Sequence, residues 1–208
     1  MIGLEFIRSF KDKAYTRRFL LAWLLLLVAL VVNYCAGIYA DRVASNSVTD
    51  IILDNVPVVD VDGIFIYGGY ALIACIVLAG LQKPNRGPFI VKTIALFYVT
   101  RAIFASLTHI APFPSHIIID PTGFSRFFNF DGQLFFSGHT GLPFLMALVF
   151  WDNKRVRISF MVLSGVFAVV VLIGHLHYSI DVFSAFFITY AIYGIAEQIF
   201  RKDRELGL

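Results

Sequence analysis

The chain has 208 residues, of which 59% are hydrophobic and 15% charged, and its formal net charge is +3. Soluble domains have about 45–50% apolar and about 25% charged residues, so this composition excludes a disordered chain, a coiled coil and an ordinary water-soluble domain. So small a net charge gives no support for nucleic acid as a partner. The composition predicts a protein that lies largely in a membrane.

Six apolar stretches are each long enough, at about 20 residues, to cross a bilayer as a helix. They cover residues 18–40, 64–81, 89–107, 133–151, 156–174 and 178–200. The sequence therefore predicts an all-α integral membrane protein, with a six-transmembrane-helix bundle over residues 18–200. The first stretch is too long and too uniformly apolar for a signal peptide, so it is interpreted as a retained helix.

The basic residues indicate which connections face the cytoplasm. With both termini cytoplasmic, 13 of the 17 Lys and Arg residues fall in cytoplasmic segments, and only Arg42 and Arg126 fall in outer loops. Such a bias is typical of cytoplasmic loops. Residues 1–17 are predicted to be a basic segment, either an amphipathic interfacial helix or a simple anchor, and residues 201–208 a basic cytoplasmic tail.

The histidines gather on the opposite side. All five are predicted at or near the outer face, where histidine can transfer protons near neutral pH. They are His109, His116, His139, His175 and His177. We therefore expect an active site at the outer face.

No sequence pattern indicates a metal site, a disulfide framework or a nucleotide-binding loop. Cys35 and Cys75 lie inside apolar stretches and are expected to be small buried thiols. Gly68 and Gly69 are interpreted as a close contact between helices. No cofactor is predicted.

His177 and Asp181 are four residues apart, a spacing that would place both on one face of the sixth helix. The carboxylate would then orient the imidazole as a nucleophile. An ionised aspartate within an apolar stretch also needs a partner, which the histidine would supply. A purely structural pair that holds two helices together explains the same spacing equally well.

Ser137, Gly138, His139 and Thr140 lie near the start of the fourth predicted helix. Backbone N–H groups and the positive dipole end make a helix start suitable for phosphate. Gly138 would let the backbone come close to it, and His139 would be placed to protonate a leaving oxygen. The alternative is a single histidine whose polar tip reaches water.

Arg101 lies within the third predicted span, where an arginine is costly unless it has a partner or faces a polar cavity. A phosphate group suits the planar guanidinium. A structural pair with Asp181 or Asp131 is the alternative.

These stretches resemble the signature motifs of the sphingomyelin synthase family, a branch of the type 2 phosphatidic acid phosphatase superfamily. Residues 137–140 read SGHT and residues 177–182 read HYSIDV, in the order that the family has them. The sequence RAIFASLTHIAP at residues 101–112 is similar to a weaker third stretch. The resemblance covers about residues 92–190, and the chain looks like a compact bacterial form. That implies a multi-pass protein of the inner membrane with its active site facing the periplasm or exterior.

The resemblance implies a metal-independent enzyme that transfers a phosphate or phospho-head group from a membrane phospholipid to water or a lipid hydroxyl. His177 would attack phosphorus and form a phosphohistidine, Asp181 would orient it, and His139 would protonate the leaving alcohol. The residues expected to bind the phosphate or the substrate are Arg101, Ser137, Gly138, Thr140 and Tyr178.

Gln133 stands where the synthases commonly have an aspartate, which bears on the head group and the acceptor. The chain also lacks the lysine-to-Arg-Pro and Ser-Arg motifs of the ordinary lipid phosphatases. Two alternatives remain: a pure lipid-phosphate or polyprenyl-phosphate phosphatase, and a non-enzymatic proton-coupled transporter or scaffold. A transporter would more often place its polar residues near the bilayer midplane, so their position at one face favours an enzyme.

Overall fold

The computed structural model describes residues 9–117 and 132–206, and the regular structure in these two stretches is entirely helical. The helices are α1 (Lys13–Val43), α2 (Asp62–Gln82), α3 (Gly87–Leu107), α4 (Gly138–Val149), α5 (Lys154–Ile173), α6 (Ser179–Ile199) and α7 (Arg201–Glu205), with a 3-10 turn at Pro84–Arg86. The predicted all-α class is confirmed, and each of the six apolar stretches overlaps one of the helices α1 to α6.

Five helices are long and apolar enough to cross a bilayer, namely α1, α2, α3 with its preceding turn, α5 and α6. The fourth predicted span differs, because α4 has only 12 helical residues. At 1.5 Å per residue it is about 18 Å long, whereas the hydrocarbon core of a bilayer is about 30 Å thick. The fourth stretch therefore covers only part of that thickness as a helix.

The segment of residues 132–137 leads into α4 without helical structure, and most of it is buried. Arg101 of α3 donates hydrogen bonds to two of its carbonyl groups, from Nε to Phe136 at 3.1 Å and from Nη2 to Gln133 at 2.9 Å. Irregular backbone at membrane depth is tolerated where protein groups satisfy its polar atoms. Arg101 therefore supplies donors that a helix would otherwise have provided.

Helix α4 lies at the centre of the bundle, with nine of its 12 residues buried, and it packs against α3, α5 and α6. Gly141 permits the closest approach. A Cβ atom there would lie 2.8 Å from Oγ1 of Thr189 and 2.9 Å from the ring of Phe97. Around this centre, α1 packs along α3 and α2 packs on α5. Many large apolar side chains of α1 and α2 are exposed, as expected for helices surrounded by lipid.

The helix ends gather at two opposite faces of the bundle. At the face that we call the histidine end, α1 ends at Val43, α2 begins at Asp62 and α4 begins at Gly138. At the opposite face, the basic end, α1 begins at Lys13 and α5 begins at Lys154. All five histidines lie at or near the histidine end.

The first helix begins earlier than the predicted boundary of the N-terminal segment. Residues 13–17 belong to α1, because Asp12 caps the helix by accepting a hydrogen bond from the N–H of Ala14. Residues 1–8 of that segment lie outside the described residues.

The predicted basic tail contains the short helix α7 and is fastened to the bundle. Asp203 is buried, and its carboxylate lies 2.6 Å from Nζ of Lys92 in α3 and 3.3 Å from Nη1 of Arg18 in α1. Neutralisation by two cations explains why an aspartate is tolerated in this buried position.

Cys35 and Cys75 are exposed on α1 and α2, so the prediction that they are buried is wrong. Lipid tails are as apolar as a protein core, and an apolar stretch therefore does not reveal which of its residues face the interior.

Candidate active site

Helix α4 starts at Gly138, five residues after the predicted start of the fourth span at residue 133. Ser137 is its N-cap, and the side chain accepts a hydrogen bond from the N–H of Thr140, with the two atoms 3.4 Å apart. The first turn offers further backbone N–H groups and the positive end of the helix dipole, an arrangement suited to an anion such as phosphate.

Arg101 lies against this helix start. A Cβ atom at Gly138 would lie only 3.3 Å from Nε of Arg101, so the absence of a side chain lets the guanidinium come close. Nε and Nη2 donate to the carbonyls of Phe136 and Gln133, while Nη1 makes no hydrogen bond to residues 9–117 or 132–206. The guanidinium is thus held in place with one nitrogen remaining for a ligand.

Of the two predicted alternative partners of Arg101, the structure describes only Asp181. Asp181 is close enough for its charge to act on the guanidinium, but the two make no ion pair. Asp131 lies outside the described residues. Arg101 is therefore satisfied chiefly by backbone carbonyls.

His177 and Asp181 are neighbours, although not on one helix face as predicted. His177 precedes α6, whose first residue is Ser179, and its Nδ1 lies 3.6 Å from Oδ2 of Asp181. That distance is too long for a hydrogen bond, and Oδ2 instead accepts one from the N–H of Tyr178 at 2.9 Å. Nδ1 of His177 is buried and has no hydrogen-bond partner in the described chain. A movement of a few tenths of an ångström would bring the pair together, as commonly happens when a ligand binds.

His139 is held between two aromatic rings. Its ring centroid lies 3.9 Å from that of Phe65 in α2 and 5.2 Å from that of Phe167 in α5. The N–H of Ser137, just before α4, donates to the carbonyl of Asp181 at 3.1 Å, so the starts of α4 and α6 are in contact. The structure therefore brings both histidines and the arginine to one place beside the start of α4.

Two residues predicted to bind substrate have other contacts. The hydroxyl of Tyr178 donates to the carbonyl of Ala111 at 2.9 Å and accepts from the N–H of Val48 at 3.2 Å. These contacts favour a structural role for Tyr178 over the predicted one. The backbone carbonyl of Thr140 accepts a hydrogen bond from the hydroxyl of Ser164. The Oγ1 atom of Thr140 is buried and has no hydrogen-bond partner in the described chain.

Asp50, in the loop before α2, helps to hold the start of α6 beside the site, and the sequence did not predict this role. Its carboxylate accepts hydrogen bonds from the N–H groups of Ser179 at 2.7 Å, Ile52 at 2.9 Å and Leu53 at 3.2 Å. Burial by itself would raise the pKa of Asp50, but these hydrogen bonds outweigh it and hold the pKa below its usual value. No local pattern could have indicated this contact, since Asp50 and Ser179 are 129 residues apart.

His175 fastens the same segment from the other side. Its Nε2 lies 3.1 Å from the carbonyl oxygen of Val56, and its Nδ1 lies 2.8 Å from Oγ of Ser115. Because a carbonyl only accepts, Nε2 carries a proton, and in the neutral ring Nδ1 accepts from the serine hydroxyl. His175 therefore holds the chain that leads to His177 and has a structural role.

Comparison with known proteins points to one superfamily. No curated protein and no solved structure matches the chain. A family model described as "PAP2 superfamily C-terminal" matches residues 132–199, about a third of the chain. The matched stretch includes His139, His177 and Asp181, whereas Arg101 and Asp50 precede it. The part of the chain that carries both histidines is thus similar to the PAP2 superfamily.

Proposed function

We propose that the protein is a membrane-embedded lipid phosphoesterase or phosphotransferase, similar to the sphingomyelin synthase branch of the superfamily. It would move a phosphate or phospho-head group from a phospholipid to water or to a lipid hydroxyl. The observation that carries the proposal is the convergence of His139, His177 and Arg101 beside the N-terminus of α4. The similarity of residues 132–199 to the PAP2 superfamily supports it.

In the first step, Nε2 of His177 attacks phosphorus. The new N–P bond forms as the O–P bond to the alcohol breaks, and His139 gives a proton to the departing oxygen. Asp181, 3.6 Å from Nδ1 of His177, stabilises the positive charge that develops on the imidazole. Arg101 and the first-turn N–H groups of α4 stabilise the charge on the phosphoryl oxygens.

In the second step, water or a lipid hydroxyl gives its proton to His139 and attacks the phosphohistidine. The N–P bond breaks, a new O–P bond forms and both histidines return to their starting states. Side chains of this chain carry every proton in the two steps, so we expect activity to persist in EDTA. Loss of activity in EDTA that zinc or magnesium restores would contradict this part of the proposal.

The decisive variant is His177→Ala. Purified protein is offered phosphatidylcholine, phosphatidylethanolamine or phosphatidic acid, with and without ceramide, and both released phosphate and new lipids are measured. We expect no turnover in His177→Ala, and a loss of about 10²–10⁴-fold in His139→Ala, which removes the general acid. His109→Ala is the matched control, because His109 lies at the same end and contacts Tyr39, away from the site.

Undiminished turnover in His177→Ala would contradict the mechanism. Free phosphate with no transfer of a phosphate or head group to ceramide would select a pure phosphatase, and a ceramide that carries the phosphate or head group would select a transferase. If the wild-type protein acts neither on these lipids nor on a polyprenyl phosphate, the result would favour a transporter or scaffold.

A further inference from the structure

Helix α1 carries a buried asparagine on its interior face. Residues 19–32, which precede Asn33, are all apolar, and Asn33 itself is only 1% exposed. Ala29, Ala36 and Ala40 lie on the same face of the helix and are also buried. A buried amide within a membrane span is costly unless other groups satisfy its hydrogen bonds. The partner of Asn33 therefore indicates what the residue does.

That partner is Gln133, in the segment that leads into α4. Nε2 of Gln133 donates to Oδ1 of Asn33 at 2.9 Å and to the backbone carbonyl of Asn33 at 3.3 Å. The same segment meets α1 again at its start, because the N–H of Gly132 donates to Oδ1 of Asp41 at 2.6 Å. A Cβ atom at Gly132 would lie only 2.7 Å from the carbonyl of Ala40. The segment is therefore attached to α1 at two points.

Gln133 joins this attachment to Arg101. Its backbone carbonyl accepts a hydrogen bond from Nη2 of Arg101 at 2.9 Å, while its side chain is held by Asn33. Gln133 is 1% exposed, so neither contact has water to replace it. A change in the hold on the side chain of Gln133 would therefore be passed to the carbonyl that Arg101 binds.

We infer that Asn33 is a positioning residue of the candidate site, which acts through Gln133 to set where the guanidinium of Arg101 meets a phosphate. This inference rests on the proposed function. Without Oδ1 of Asn33, the amide of Gln133 loses the shorter of its two hydrogen bonds, and the backbone beside it can shift. Hydrogen bonds weaken steeply as their geometry is lost. Arg101 then keeps its charge but not its position.

The test is Asn33→Leu, which removes Oδ1 and keeps nearly the same side-chain size. Full-length protein in detergent hydrolyses phosphatidic acid, and the inhibition constant of orthovanadate is measured. We expect the constant to rise by about 3–10-fold, which corresponds to the loss of one neutral hydrogen bond. The fraction of folded protein does not affect this constant. Gln133→Met removes the donor of the same bond and should give a similar rise, so it decides the question if Asn33→Leu does not fold.

Leu26→Ala is the matched control for general loosening of α1, since Leu26 is buried on the same helix and packs against α3. It should lower Tm and leave the inhibition constant unchanged. Because Asn33 acts through Arg101, adding Asn33→Leu to Arg101→Ala should weaken inhibition no further.

Three results would overturn the inference while leaving the proposed function standing. They are an unchanged constant in both Asn33→Leu and Gln133→Met, an equal rise in Leu26→Ala, and a further rise when Asn33→Leu is added to Arg101→Ala. A wild-type protein that cleaves no phosphate ester and gains no thermal stability from orthovanadate overturns the proposed function and this inference with it.

Discussion

Arg101 holds protein carbonyls with two of its nitrogen atoms, and its Nη1 makes no hydrogen bond within the part of the chain that the structure describes. Its Nε and Nη2 bonds to Phe136 and Gln133 fix the plane of the guanidinium against Gly138. A lysine has one ammonium group and cannot reproduce this fork. Gln133 is fixed in turn, because its Nε2 donates to Oδ1 of Asn33 in α1 at 2.9 Å. The cation of the site is therefore placed by a chain of contacts that reaches α1.

Replacing Arg101 by lysine should weaken phosphate binding even though the charge is kept. We expect the inhibition constant of orthovanadate to rise by about 10–100-fold, corresponding to the loss of one or two charge-assisted hydrogen bonds. Lys92→Arg is the control, because Lys92 lies on the same helix and pairs with Asp203 far from the site. Wild-type inhibition in Arg101→Lys would show that Arg101 does not bind the phosphate.

At the scale of elements, the segment between α5 and α6 is held on both sides of His177. The N–H of Val59 donates to the carbonyl of Ile173 at 2.8 Å, and His175 donates to Val56. On the other side, Asp50 holds the N–H of Ser179. Since the loop before α2 supplies each of these contacts, that loop holds the backbone on both sides of His177.

Asp50→Asn should destabilise the protein near neutral pH by about 1–3 kcal/mol, because an amide binds the three N–H groups less strongly than a carboxylate does. The pKa of Asp50 is lowered in the folded state. Its contribution is therefore complete above about pH 4 and is lost as pH falls through that lower pKa. In detergent, the difference in Tm between wild type and Asp50→Asn should be largest at neutral pH and shrink on acidification.

Asp60→Asn, in the same loop but exposed, should leave Tm close to the wild-type value at every pH. A difference for Asp50→Asn that stays the same from pH 7 to pH 3 would show that the carboxylate charge does not stabilise the fold.

The sequence could predict features that depend on neighbouring residues, but not features that depend on contacts between distant parts of the chain. The approximate positions of the helices follow from the length of the apolar stretches, which is a local signal. The contacts of His139 with Phe65, and of Asp50 with Ser179, join distant parts of the chain. No local pattern encodes such contacts. The spacing of His177 and Asp181 misled for a related reason, because it indicates a shared helix face only if the helix contains both residues.

At the scale of the whole molecule, the two ends of the bundle differ in chemistry. At the basic end, Asp152 accepts hydrogen bonds from Lys83 and Arg86, and Asp203 pairs with Lys92. The histidine end holds the candidate site. Together with the excess of basic residues in the predicted cytoplasmic segments, this division supports the proposal that the basic end lies in the cytoplasm and the site faces the exterior or periplasm.

Cysteine labelling tests this orientation. Cys35 and Cys75 are exposed and are first replaced by serine. A cysteine at Asp60, at the histidine end, should react with a membrane-impermeant maleimide on intact cells, whereas one at Lys154 should react only after permeabilisation; both positions are exposed. The reverse pattern would place the site in the cytoplasm.

The position of Arg101 along α3 has a consequence for how a lipid would reach the site. Arg101 lies about 9 Å along the helix axis from Leu107, the last residue of α3, at 1.5 Å per residue. The candidate phosphate site therefore lies about 9 Å below the end of α3 at this face. A phospholipid would need to tilt or sink by that distance to bring its phosphate to the site. A water molecule that serves as the acceptor would have to reach the same depth. Depth, and not only chemistry, would then exclude water-soluble phosphate esters whose alcohol has no apolar tail to draw it into the bilayer.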